Sequence, residues 1–280
     1  MSLVINTNIA SMMAQGNLFT NTKNLTNSME KLSSGHKINS AADDAAGLAI
    51  SETMTAQING NSQALSNIQD GINMLQTAEG SLSVIDTNIQ RIRELCVQAA
   101  NDTNGTSERN AILTEINQRL LDINRISKSA TFNSINLLNG SASSCILQIG
   151  AGSSSTNTIK IGSVLTNCTL GALSMNLSIT GDLWTSTMIR SYLNSVDSGL
   201  NTILSKRSDI GALENRLQSA LTNLTSFNVN LQSSESNIKD VDIAQESSNM
   251  TKNQILEQAS ETILAQANKL PQLALSLLNG

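Results

Sequence analysis

A mainly α fold is predicted here: a long antiparallel coiled-coil helical bundle whose terminal helices pair and whose middle carries a small β-hairpin tip. Three observations support it. Between Asp43 and Cys96 apolar residues recur at alternating steps of three and four, through Ile50, Met54, Ile58, Leu65, Ile68, Ile72, Leu75, Ala78, Leu82, Ile85, Ile89, Ile92 and Cys96, with only Asn61 interrupting. Steps of that size hold one residue type on a narrow helical stripe, and over many heptads they describe a coiled-coil seam. Aromatic residues make up 2% of the chain and there is one proline, so the core is aliphatic and helix is favoured over a strand-rich sandwich. The same stripe returns late in the chain, at Leu193, Val196, Leu200, Ile203, Ile210, Leu213, Leu217, Leu221, Leu224 and Leu231. A helix of ~87 Å, at ~1.5 Å per residue, needs a partner along its length.

In chain order, residues 1–42 form the first element. Leu3, Ile5, Ile9, Met12, Leu18, Leu25, Met29 and Leu32 line one face of a segment otherwise rich in Asn, Ser and Thr. Such a helix is marginal alone and orders against something else. Ser33 to Ser40, with Gly35 and His36, breaks the periodicity as a connector. Asp43 and Asp44 then open the long helix, where carboxylates favour an N-terminus through capping and the helix dipole. Residues 43–140 hold this helix, a turn at 101–106, and a second helix capped by Ser107 with Ile112, Ile116, Leu120 and Ile123 on its apolar face.

Residues 141–190 are the tip. Cys145–Gly150 and Thr158–Gly162 alternate apolar and polar residues around a Gly/Ser-rich turn, which predicts a β-hairpin with a long, flexible loop. Lys160 is the one charge between Ser141 and Gly181, so this stretch reads as the outward, variable part, its hydroxyls available to O-linked sugars. Trp184 and Tyr192 pack where the tip meets the helices. Helix resumes over 191–237. The closing segment, 238–280, carries Ile255, Leu256, Ala259, Ile263, Ala267, Leu270, Leu273, Leu277 and Leu278, mirroring the first.

Several functions are disfavoured. A net charge of −5, with no basic run interleaved with aromatics, gives no case for nucleic acid. No stretch approaches ~18 uninterrupted apolar residues, so no membrane insertion is expected, and Met1 to Asn8 shows no signal-peptide pattern. Cys96, Cys145 and Cys168 are odd in number and widely spaced, which fits reduced packing residues better than a disulfide framework or a zinc site. Gly150-Ala151-Gly152 lacks the third glycine and helix start of a phosphate loop. No cofactor or metal is implied, and His36, the one histidine, lacks the second histidine and glutamate that zinc-protease chemistry requires.

The motifs resemble those of the bacterial flagellins. Ile5-Asn6-Thr7-Asn8, Leu32-Ser33-Ser34-Gly35, Ile38-Asn39-Ser40-Ala41, Asp43-Asp44-Ala45-Ala46-Gly47 and Gln90 to Gln98 are similar to the N-terminal signature. Ser248-Asn249-Met250, Gln254-Ile255-Leu256, Ala265-Gln266-Ala267-Asn268 and Leu275-Ser276-Leu277-Leu278 resemble the C-terminal one. The resemblance implies a structural subunit, with no enzymatic role, that self-assembles into the filament used for swimming, with Ile5, Ile9, Leu25, Leu32, Ile263, Leu270, Leu277 and Leu278 of the terminal stripes on the assembly seam. It also implies export as an unfolded chain through the flagellar type III apparatus and residence in the extracellular flagellum. The implied partners are further copies of the chain, an export chaperone acting on the closing helix, the hook-associated junction and cap proteins, and the host Toll-like receptor. The receptor face corresponds to Arg91, Leu95, Gln98 and Glu115. Larger flagellins insert outer domains in the middle, and these are missing or reduced here. The sequence departs from the family at Cys96, where a smaller residue is usual, at Ile243, where an aromatic is common, and in the extra Asn279-Gly280. A hook–filament junction protein is the nearer alternative, but its pattern places proline beside the paired aspartates. A secreted coiled-coil effector or adhesin would instead have protected termini as a stable monomer.

Overall fold

A computed structural model of the chain describes residues 7–175 and 185–278, the side chains at 270 and 272–278 excepted. Five helices dominate: α1 (Ile9–Ser34), α2 (Ala45–Ala99), α3 (Thr106–Ser129), α4 (Ser186–Lys239) and α5 (Ile243–Leu278). Four short strands lie between α3 and α4: β1 (Thr131–Phe132), β2 (Ile135–Asn136), β3 (Ile146–Gln148) and β4 (Thr158–Lys160). The chain divides into two compact units, residues 1–56 with 230–280, and residues 57–229, so α2 and α4 contribute to both.

In the first unit α1 and α5 run antiparallel. Asn8 donates to the Ala267 carbonyl at 2.8 Å, Asn21 to Ser260 Oγ at 2.8 Å and Thr22 to Glu257 at 2.9 Å, so rising numbers on α1 meet falling numbers on α5. Gly35 ends α1 with φ +76°, the left-handed geometry glycine accepts without a Cβ penalty, and its N–H bonds the Lys31 carbonyl. The connector then pairs with the break between α4 and α5: Lys37 N–H donates to the Lys239 carbonyl and Val241 N–H to the Gly35 carbonyl. His36 in this connector meets Asp240 at 3.2 Å.

The two aspartates divide their work. Asp44 caps α2, its Oδ1 accepting from Ala46 and Gly47 N–H, and the helix starts at Ala45. Asp43 instead closes the preceding turn, accepting from the N–H groups of Asn39 and Ser40, and these bonds hold its carboxyl below the usual value. Asp242 caps α5 in the same way as Asp44, through Ala244 and Gln245 N–H. Ser107 does not cap α3. The helix begins one residue earlier, and Gly105 occupies the cap position with no side-chain bond.

The second unit holds the main core. Ile68, Leu75, Leu82, Ile85, Ile89 and Ile92 of α2 are fully buried against Ile116 and Ile123 of α3 and Ile189, Val196, Ile203, Ile210 and Leu217 of α4. Polar pairs set the antiparallel sense of α2 and α4: Ser62 with Asn228, Glu79 and Asp86 with Arg207, and Arg93 with Asp197. The α2 seam departs from expectation at its start. Ile50 is exposed, while Asn61, which interrupts the apolar series, is itself buried, as is Ala64.

The stretch after α3 contains more structure than its composition suggests. Asn133 and Ser134, both with positive φ, turn β1 back on β2, an unpredicted hairpin whose central residues take the left-handed geometry of tight hairpin turns. β3 and β4 form the predicted hairpin, with Ile146 opposite Lys160 and Gln148 opposite Thr158. Its loop is organised by a 3-10 turn at Ser155–Asn157 and by Gln148 Nε2, which donates to the carbonyls of Gly150 and Gly152. The expected outward tip also buries Ile159, Ile161, Leu165, Cys168, Leu173 and Met175 in the helical core, because isolated apolar residues between serines and threonines pack as single anchors. Glycines admit two anchors: Leu147 lies over Gly71 of α2, and Met175 over Gly199 of α4. Tyr192 is half-buried with its hydroxyl donating to the Met175 carbonyl at 3.1 Å, and Trp184 lies outside the described residues.

Candidate assembly surface

The contact between α1 and α5 is built from small residues. Ala14 and Ser28 of α1 and Ser260 and Ala267 of α5 are the buried positions of the pair among the described side chains, joined by Asn, Ser and Thr side chains along its length. Small side chains let two backbones approach and leave room for few large apolar ones, Leu18, Leu25 and Leu32 being half-buried. Many others lie outside: Ile9, Met12, Met13 and Phe19 on α1, and Ile243, Ile255 and Ile263 on α5, with Phe19 73% and Ile263 60% exposed. So many large side chains in water on one helix pair form an unsatisfied apolar surface, well beyond the scattered leucines of an ordinary surface.

Of the predicted seam residues, Ile9 and Ile263 are exposed and Leu25 and Leu32 half-buried. Ile5 and the side chains of Leu270, Leu277 and Leu278 lie outside the described residues. Met13 and Phe19 were not predicted. The legible signal for Phe19 is its rarity, as one of three phenylalanines in an aromatic-poor chain.

The face around Arg91 is polar and tied between α2 and α3. Arg91 donates to Glu94 at 2.9 Å and to Glu115 at 3.4 Å, Glu115 accepts two bonds from Arg119 at 3.1 Å, and Arg119 reaches Asn88 at 3.2 Å. Arg119 first, and Arg91 after it, hold the Glu115 carboxyl below its usual value. Arg91 and Gln98 are exposed and Glu115 is half-buried. Leu95, predicted on the same face, is 2% exposed and belongs to the core beside Ile92, Cys96 and Ala99. Helix α2 packs against both α3 and α4, so its buried stripe is wider than a two-stranded seam and takes in the flanking position.

No group of His, Cys, Asp and Glu among the described residues is arranged to hold a metal ion, and no described helix is long and apolar enough to cross a membrane.

Comparison with known proteins agrees with this architecture. Residues 5–143 match the model of the bacterial flagellin N-terminal helical region, and residues 193–278 that of the C-terminal helical region. A flagellin of Halalkalibacterium halodurans is 42% identical over 99% of this chain and 100% of its own. A flagellar filament core protein of Treponema maltophilum is 40% identical, over 99% of this chain and 100% of its own, and a flagellin of Bacillus subtilis 38%, over 98% and 99%. A solved structure assigned to a flagellar hook-associated protein of Vibrio parahaemolyticus has TM-score 0.56 at 16% identity, covering 71% of this chain and 100% of that one, a likeness of fold alone. The chain belongs to the bacterial flagellin family and is a structural subunit of the flagellar filament.

Proposed function

We propose that the apolar faces of α1 and α5 are the seam through which subunits join, with Ile5, Ile9, Leu25, Leu32, Ile263, Leu270, Leu277 and Leu278 on it and Met13, Phe19 and Ile255 beside them. One observation carries this reading: the helix pair buries small residues and leaves many of its large apolar ones in water. Removing that surface from water, at about 25 cal/mol per Å², drives association. A heterologous contact used repeatedly without closing gives a helical polymer.

The unfolded-export reading is supported by the same pair. Its internal contacts are few in apolar area and rich in Asn, Ser and Thr, so the pair opens readily, and the three cysteines are free, so no disulfide obstructs an unfolded chain. The same reading extends to the finer partners. The closing helix is the segment for an export chaperone, and filament ends present the same faces to junction and cap proteins. Arg91, Gln98 and Glu115 are the accessible groups of the receptor face, while Leu95 contributes from inside by fixing the helix that displays them.

The test is seeded assembly: purified chain and a variant truncated after Asp240, each mixed with sheared filament seeds and followed by sedimentation and negative-stain microscopy. The full chain elongates seeds and the truncated one stays in the supernatant. Elongation by both would remove α5 from the seam.

A further inference from the structure

Within residues 57–229 the buried polar side chains of α2 and α4 fall in two layers. One holds Asp86, which is paired with Arg207. The other holds Asn61, 3% exposed, and Asn228, 8% exposed. Asn61 Nδ2 has no hydrogen-bond partner, and Asn228 Oδ1 has none either. The remaining group of Asn228, its Nδ2, donates to Ser62 Oγ over a long 3.4 Å, and the Ser62 hydroxyl is itself committed to the Ile58 carbonyl at 2.9 Å. An orphaned donor on one helix therefore stands at the same layer as an orphaned acceptor on the other, both in an apolar seam. Buried amides left in that state cost stability, and rotation about the terminal torsion of asparagine is soft.

We propose that Asn61 and Asn228 form a direct amide–amide hydrogen bond across the α2/α4 seam, and that this bond fixes the register of the two helices. The apolar layers cannot do so alone. They repeat every heptad, so a slide by one heptad rebuilds an Ile/Leu seam of nearly the same chemistry. Such a slide sets Asn61 against Leu221 and Asn228 against Met54 in one direction, and Asn228 against Ile68 and Asn61 against Glu235 in the other, so in either case at least one amide faces an apolar side chain. The ion pairs of Arg93 with Asp197 and of Arg207 with Glu79 are partly exposed, so water can replace them and they exclude the slide weakly, while the buried Asp86 and its partner Arg207 oppose it together with the amide pair. The buried amide pair trades stability for one pairing, and this inference stands independently of the assembly seam.

The experiment is a double-mutant cycle on the full chain, Asn61→Leu, Asn228→Leu and both together, followed by urea unfolding. Each single substitution lowers the midpoint, and the double restores or exceeds the parental value. A single variant that fails to fold beside a folded double shows the same coupling. Register is read separately by dipolar electron resonance between spin labels on Gln63→Cys and Ser226→Cys in a Cys145→Ser background, Cys96 and Cys168 being buried. The parent gives one distance. The double leucine variant adds a minor second population at longer distance, because the two labels start level and a slide by one heptad, about 10 Å along the axis, moves them apart. Additive single effects, or one unchanged distance in the double variant, would overturn the proposal.

Discussion

Arg207 on α4 bonds Asp86 on α2 at 2.7 Å, and Asp86 is buried with a side chain 9% exposed. The same guanidinium gives Nε and Nη2 to Glu79 at 3.0 and 2.9 Å, and Gln90 holds the other oxygen of Asp86. Arg207→Met leaves Asp86 charged and without its cation inside the helical core. Because Arg207 is itself partly exposed, the expected loss is about 2 kcal/mol, below that for a fully buried pair. Urea unfolding of the variant measures it, and Asp86→Asn in the Arg207→Met background recovers part of the loss.

Glu214 lies near Glu79 with one carboxylate oxygen buried and unbonded. Burial first, and the Glu79 charge after it, raise the Glu214 carboxyl above the usual glutamate value. The folded state thus keeps a proton that the unfolded chain has released, and stability falls as pH rises through the window above about 4.3. Glu214→Gln cannot lose that proton. Its Tm matches the parent in acid and exceeds it by roughly 2–4 °C at neutral pH. Thermal unfolding at both pH values checks the sign.

Two glycines separate packing from propensity. A Cβ on Gly162 would stand 2.4 Å from the Ser143 carbonyl oxygen and 2.5 Å from that of Ala142, both backbone atoms that cannot swing aside. Gly162→Ala therefore destabilises by about 2 kcal/mol, as overpacking does. Gly80, inside α2, has nothing within 4 Å of its Cβ position. Gly80→Ala stabilises by roughly 0.5–1 kcal/mol through helix propensity alone. Chemical denaturation of the two variants should show opposite signs.

The thiols should also differ in reactivity. Burial, and to a lesser degree Asp197, pushes Cys96 up to about 12, and burial pushes Cys168 up to about 11. Cys145 is half-buried on the tip. Maleimide at neutral pH labels Cys145 alone in the native chain and all three residues in urea, as mass spectrometry of the labelled protein will show.

Much of the helical fold was legible because periodicity reports directly which face is buried. The long helix was expected from Asp43 to Ala100 and runs Ala45–Ala99, and the hairpin around residues 146–160 followed from strict alternation. The β1/β2 turn escaped because Asn133 and Ser134 carry no glycine to announce positive φ. The buried anchors of the tip escaped because single apolar residues among serines have no period. At the candidate site, spacing put Leu95 beside Arg91, yet only the packing of α2 against both α3 and α4 shows that it points inward. For α1 and α5 the stripe was visible, but the small residues that join the pair and turn Phe19 outward became evident only in three dimensions.

The central claim is that the outward apolar residues of α1 and α5 drive assembly without being needed for the fold of residues 57–229. The most direct measurement is seeded elongation by a full-length Met13→Ser, Phe19→Ser, Ile263→Ser variant, with its thermal unfolding recorded alongside. The account predicts a main unfolding transition like the parent's and no growth of seeds. Growth at the parental rate would contradict it and place the subunit contact on another face.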